Sequence, residues 1–158
     1  MSYSYTAVSN GTPDYVCEVL HLCRTGEYLG LLQAKVASIS LPDWYVVVTD
    51  SIQFQNPSIL RALSAESLVL SCYFEDESMF SKLSWWKAEE RQWSVIHDSS
   101  WSTELKSVGT VPAEIGRFAD EAIDRQASLE RACFEVPIVA MDYYTGLRHN
   151  RNNLDGKC

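Results

Sequence analysis

Three segments of alternating apolar and polar residues constrain the fold of this chain most strongly. Alternation is typical of strands, because successive side chains of a strand point to opposite faces. The predicted strands are residues 67–74, 80–88 and 92–97. The polar residues 75–78 and 89–91 separate them, which favours an antiparallel meander. The run 44–49, rich in valine and aromatic side chains, predicts a fourth strand.

A stripe of apolar residues after Pro112 is the strongest helical pattern. Apolar side chains recur there every three to four residues, with charged residues mostly on the other side. This spacing predicts one long amphipathic helix over residues 112–134. Pro137 then predicts the start of a short further helix, which ends at Gly146.

Helix starts are also visible in the N-terminal part of the chain. Two capping residues stand directly before a proline, Thr12 before Pro13 and Asn56 before Pro57. Because proline fits the first helical position, we predict a helix from each, the second over residues 58–63. After Gly26, the apolar spacing through Val36 predicts a further helical segment, either separate or a bent continuation of the first helix.

Together these elements predict a single α+β domain over residues 1–158. Its sheet has about four mainly antiparallel strands, packed with the N-terminal helices and the long C-terminal amphipathic helix. Residues 1–10 and 147–158 are predicted to be frayed tails, since the ends of a chain are often poorly ordered.

Composition excludes several classes of protein. With 46% hydrophobic and 22% charged residues, the chain is typical of globular proteins. No apolar run approaches the roughly 18–20 residues that a membrane-spanning helix needs. The first ten residues lack the basic and apolar regions of a secretory signal. The five cysteines are an odd number without paired spacing, so we expect reduced thiols and a cytoplasmic protein.

No motif identifies a reaction. A Gly-x-Ser-x-Gly turn and a glycine-rich phosphate loop are both missing from the sequence. The chain has only three histidines, at spacings that do not indicate a zinc site, so we expect no metal and no cofactor. Residues 97–100 combine the residue types of a hydrolase, but neighbours on a strand point to opposite faces. We therefore interpret His97 and Asp98 as the end of a strand, and a small hydrolase using His97 is the least favoured alternative.

Acidic and tryptophan side chains favour protein binding over catalysis. The net charge of −8 opposes binding to nucleic acid. Trp85 and Trp86 are neighbours on a predicted strand, so either both faces of the sheet are covered or one ring stays partly exposed. A tryptophan with an acidic rim suits a protein interface, with Trp85 or Trp86 as its buried anchor. The predicted partner-binding residues are Glu75, Asp76, Glu77, Trp85, Trp86, Glu89 and Glu90.

In its small size, its acidity and its lack of catalytic motifs, the chain resembles bacterial immunity proteins, which neutralise secreted or contact-delivered toxins. The segments 93–98 (WSVIHD) and 144–149 (YTGLRH) contribute to this resemblance. The resemblance implies a non-catalytic inhibitor whose partner is a cognate toxin acting in the cytoplasm. Such a toxin often carries a basic active-site cleft, towards which an acidic inhibitor is steered. No direct contact with nucleic acid or membrane is implied.

Two alternatives from other classes stay open beside the inhibitor. One is a module that binds a small molecule or a peptide, and the other is a subunit of a larger assembly.

Overall fold

The computed structural model describes residues 1–27, 34–125 and 128–147, which form an α+β structure around an antiparallel sheet. The sheet has seven strands in the order β2-β3-β1-β4-β5-β6-β7. The strands are β1 Ser2–Ser9, β2 Val36–Ser40, β3 Trp44–Thr49, β4 Val69–Glu75, β5 Phe80–Lys87, β6 Glu90–Asp98 and β7 Lys106–Gly109. The helices are α1 Pro13–Val19, α2 Pro57–Ser64, α3 Ala113–Arg125 and α4 Leu129–Thr145, and a 3₁₀ turn spans Ile52–Gln55.

The four strands predicted from the sequence are confirmed as β3, β4, β5 and β6, but the sheet is larger than predicted. Residues 1–10 are not a frayed tail, because β1 pairs with β3 on one side and β4 on the other. Tyr3, Tyr5 and Ala7 point to one face of β1 and alternate with serine and threonine on the other face, so the strand pattern is present in the sequence. The short strands β2 and β7 at the two edges were also missed.

The turn between β5 and β6 shows why this hairpin is tight. Lys87 pairs with Glu90, so only Ala88 and Glu89 form the loop. Both have positive φ angles, 50° and 63°, as a two-residue hairpin turn of the I′ type requires. The turn therefore lies one residue before the predicted segment 89–91.

The long helix predicted over residues 112–134 is wrong, because the chain divides it in two. α3 ends at Arg125, and α4 begins after Ser128, whose hydroxyl accepts a hydrogen bond from the Arg131 N–H. Both helices face the sheet, so the apolar periodicity continues past the break and conceals it. Pro137 lies inside α4 and does not start a new helix, whereas Gly146 ends α4 in the left-handed conformation, as predicted.

The proline-led helix starts are confirmed. The Thr12 hydroxyl accepts from the Tyr15 N–H at the start of α1, and the Asn56 side chain accepts from the Ser58 N–H at the start of α2. The helical segment that was predicted to extend to Val36 is wrong at its end, because Val36 begins strand β2. Residues 28–33 of that segment lie outside the described residues.

Helices cover both faces of the sheet. On one face, α3 and α4 enclose a core that includes Leu83, Val95 and Phe134. On the other face, α1, α2 and the 3₁₀ turn enclose a second core that includes Leu63 and Trp86. None of the described helices combines the length and the apolarity that crossing a membrane would take.

Candidate protein-binding surface

The predicted acidic residues fall into two groups that the structure does not bring together. Glu75 ends β4, and Asp76 and Glu77 follow it in the turn to β5. Glu89 and Glu90 lie at the other end of β5. Since a strand rises about 3.3 Å per residue, the two groups are separated by roughly 25 Å. They therefore cannot form one compact contact patch.

The two predicted anchors pack into opposite cores. Trp86 is buried against the α2 side of the sheet, and its indole N–H donates to the Ser84 hydroxyl at 3.0 Å. Trp85, on the α4 side, is half-buried and packs on three aromatic rings, those of Trp44, Trp93 and Tyr144. Helices therefore cover both neighbours, and Trp86 is not accessible to a partner in this structure.

Trp101 is the exposed tryptophan that the sequence analysis did not select. Its side chain is 73% exposed in the loop between β6 and β7. The backbone N–H groups of Trp101 and Ser102 both donate to the Asp98 carbonyl, at 3.1 Å each. The Lys106 ammonium lies 4.9 Å from the centre of the indole ring. A tight loop thus holds a large aromatic ring in solvent.

The Trp101 loop adjoins the turn that carries Asp76 and Glu77. The Ser99 hydroxyl donates to the Ser78 carbonyl at 2.8 Å, which joins the two connections. Alternate turns of an antiparallel meander lie at the same end of the sheet, so β4–β5 and β6–β7 meet. The exposed tryptophan therefore lies beside the first predicted acidic group.

Further carboxylates gather at this end of the sheet from other parts of the chain. Arg131 of α4 forms ion pairs with Asp76 at 3.9 Å and Glu135 at 3.2 Å, and the N-terminal amine pairs with Glu77 at 3.1 Å. Burial raises the pKa of Tyr3, and the negative charges of nearby Asp76 and Asp50 raise it further. We call this surface the acidic end, and it consists of Asp50, Glu75, Asp76, Glu77, Asp98, Trp101, Glu104, Glu130 and Glu135.

His97 lies beneath the acidic end, at the penultimate position of β6, as predicted for a strand end. Its side chain is fully buried next to Ser81, its cross-strand neighbour on β5. Within the described part of the chain, neither ring nitrogen of His97 nor the Ser81 hydroxyl makes a hydrogen bond. Burial lowers the pKa of His97, although Glu130, the Glu104 backbone and Asp98 act in the opposite direction. A substrate cannot reach the ring in this conformation.

The described residues contain neither a metal-binding cluster nor a disulfide. Among residues 1–27, 34–125 and 128–147, no group of three or more histidine, cysteine or acidic side chains is placed to hold a metal ion. The described cysteines, Cys17, Cys23, Cys72 and Cys133, are free thiols. Complete burial raises the pKa of Cys72, so its reactive thiolate form is disfavoured.

Comparison with known proteins adds no assignment: no family model, curated protein or solved structure matches this chain. Function is therefore inferred from the geometry of the acidic end.

Proposed function

We propose that this protein is a non-catalytic inhibitor of the immunity type, which binds and blocks a cognate bacterial toxin acting in the cytoplasm. The acidic end is its contact surface and Trp101 is its anchor. The observation that carries the proposal is the 73% exposure of Trp101 in a loop that adjoins the turn carrying Asp76 and Glu77. Tryptophan is enriched among the residues that dominate binding energy, and large apolar side chains are costly to leave in solvent.

Charge supports a basic partner. The chain carries −8 overall, and several of its carboxylates lie at the acidic end. A nuclease or nucleotide-directed toxin needs a positive cleft for phosphate, and complementary charge accelerates its encounter with an acidic protein. Glu75, Asp76 and Glu77 stay in the proposed contact surface. Glu89, Glu90, Trp85 and Trp86 are left out of it, because of their distance or burial.

The first test is recovery of a partner from the native host with the tagged protein at about 50 mM and about 500 mM salt, a range that spans weak and strong screening. We expect one basic protein in stoichiometric amount, less at the higher salt. Trp101→Ala should weaken binding of that protein by about 2 kcal/mol, roughly 30-fold in affinity. The matched control is Tyr143→Ala, because Tyr143 is also an exposed aromatic residue but lies near the opposite end of α4.

Two double variants distinguish the effect of charge at the acidic end from the effect of the overall charge. Glu77→Lys with Glu104→Lys alters the acidic end, whereas Glu89→Lys with Glu90→Lys changes the net charge equally at the far turn. The double variant at the acidic end should slow association at low salt, and the double variant at the far turn should not. Equal effects would assign the salt dependence to overall charge, and no recovered partner at either salt would refute the inhibitor proposal.

A further inference from the structure

An open groove lies on the α2 face of the sheet, away from the core around Trp86. The 3₁₀ turn and the start of α2 form one wall, and β4 and β5 form the floor, enclosing about 380 Å³. The wall contributes Ile52 and Gln55, and the floor contributes Tyr73, Phe80 and Lys82. Ile52 is 59% exposed, which makes the wall partly apolar.

The floor of the groove continues onto β6 and β7. Ile96 pairs with Lys82 across the strands, and Lys106 pairs with Ile96, so these side chains point to the same face. The Tyr73 and Phe80 rings lie 5.9 Å apart at the other side of Lys82. Apolar surface thus flanks a lysine on both sides.

The groove region carries three cationic side chains. Lys82, Arg91 and Lys106 form no ion pair with any carboxylate in the described part of the chain. Burial lowers the pKa of the Lys82 ammonium, and nearby Arg91 acts in the same direction. A carboxylate placed against Lys82 would favour the charged ammonium and so oppose this lowering of its pKa.

Negative charge at the rim argues against a polynucleotide. Glu75 and Asp98 point to the same face as Phe80, so the groove is basic at one end and acidic at the other. A continuous phosphate backbone would be attracted by one half and repelled by the other. A peptide segment with one carboxylate and one apolar side chain matches both the charge and the aromatic floor.

We propose that this groove binds an acidic segment of a partner protein, with a carboxylate against Lys82 and an apolar side chain over Tyr73 and Phe80. The groove borders the acidic end at Glu75 and Asp98, but its proposed contacts, Lys82, Tyr73 and Phe80, are not part of that surface. The proposal therefore does not depend on the inhibitor function, and either can fail without the other.

The test uses the full-length protein as bait for a random dodecapeptide library displayed on phage. The wild type should enrich peptides in which aspartate or glutamate lies near an aromatic or aliphatic residue. Lys82→Gln and Lys82→Glu should lose that enrichment, and the affinity of an enriched synthetic peptide for Lys82→Glu should fall at least about tenfold. Lys87→Glu is the matched control, because it reverses an exposed charge on the same strand outside the groove.

Three outcomes would overturn the proposal, provided that the variants keep the thermal unfolding transition of the wild type. The first is no enrichment, and the second is enrichment that Lys82→Glu retains. The third is binding of single-stranded oligothymidylate that requires Lys82 while no peptide binds, which would assign the groove to nucleic acid.

Discussion

His97 should make this protein sensitive to mild acid. The ring is fully buried, and burial lowers its pKa below the ordinary value near 6.5. In the unfolded chain the ring takes up a proton as the pH falls through about 6.5, whereas the folded state resists protonation until a lower pH. The unfolded state therefore binds more protons in this window, and stability falls as the pH falls.

The magnitude follows from that difference in proton uptake. Each pH unit between the unfolded and folded pKa values costs up to about 1.4 kcal/mol of unfolding free energy. Between pH 7.5 and 5.5, His97 should thus remove up to about 1.4 kcal/mol, because only the unit below 6.5 contributes appreciably. Urea unfolding at pH 7.5, 6.5 and 5.5 measures this loss. In His97→Gln, which carries no titrating ring, the loss should be smaller by that amount.

The comparison with His97→Gln cancels the carboxylates, whose titration is common to both proteins. His21→Gln serves as the matched substitution, because it replaces an exposed histidine in the same way. If wild type and His97→Gln lose the same free energy between pH 7.5 and 5.5, the ring is not kept neutral by burial. The account of the interior beneath the acidic end would then be refuted.

Three further changes test the fold that positions the acidic end. Deleting residues 1–9 removes the strand between β3 and β4 and should abolish the cooperative thermal transition, so a truncated chain that still melts cooperatively would contradict the sheet order. Ser128→Ala removes the cap on the Arg131 N–H and should lower the urea-derived unfolding free energy by about 1 kcal/mol, and no change would argue against a helix start there. Gly109→Ala should speed amide hydrogen exchange in β7 while β1 stays protected, because φ is +79° and a Cβ would collide with the Gln92 carbonyl; unchanged exchange would contradict this close approach.

Local patterns predicted the centre of the meander because its strands alternate clearly. Leu70, Cys72 and Phe74 face one core, and the caps at Thr12 and Asn56 start helices as expected. β1 was not predicted although Tyr3, Tyr5 and Ala7 alternate with Ser4 and Thr6, because its place at the end of the chain favoured a frayed tail. The helix break escaped for a different reason, since apolar spacing reports which side faces the core and not whether the backbone is continuous.

The proposed contact surface overlaps the predicted partner-binding residues only at Glu75, Asp76 and Glu77. Composition suggested that acidic group, and its predicted anchors, Trp85 and Trp86, came from a predicted strand. The signal for Trp101 was present: it alone among the five tryptophans lies outside a predicted strand. In an antiparallel meander the first and third connections share one end. Applying that rule to the predicted strands would have placed the Trp101 loop beside the acidic turn.

Photo-crosslinking in the native host tests the central claim most directly. A benzoyl-phenylalanine is introduced in place of Trp101 in one variant and of Tyr143 in another. Both positions are exposed, with the first at the acidic end and the second near the opposite end of α4. Position 101 should give one dominant adduct to a basic protein, and position 143 should not. No adduct at position 101, or the same adduct at both positions, would contradict the claim that the acidic end binds the partner.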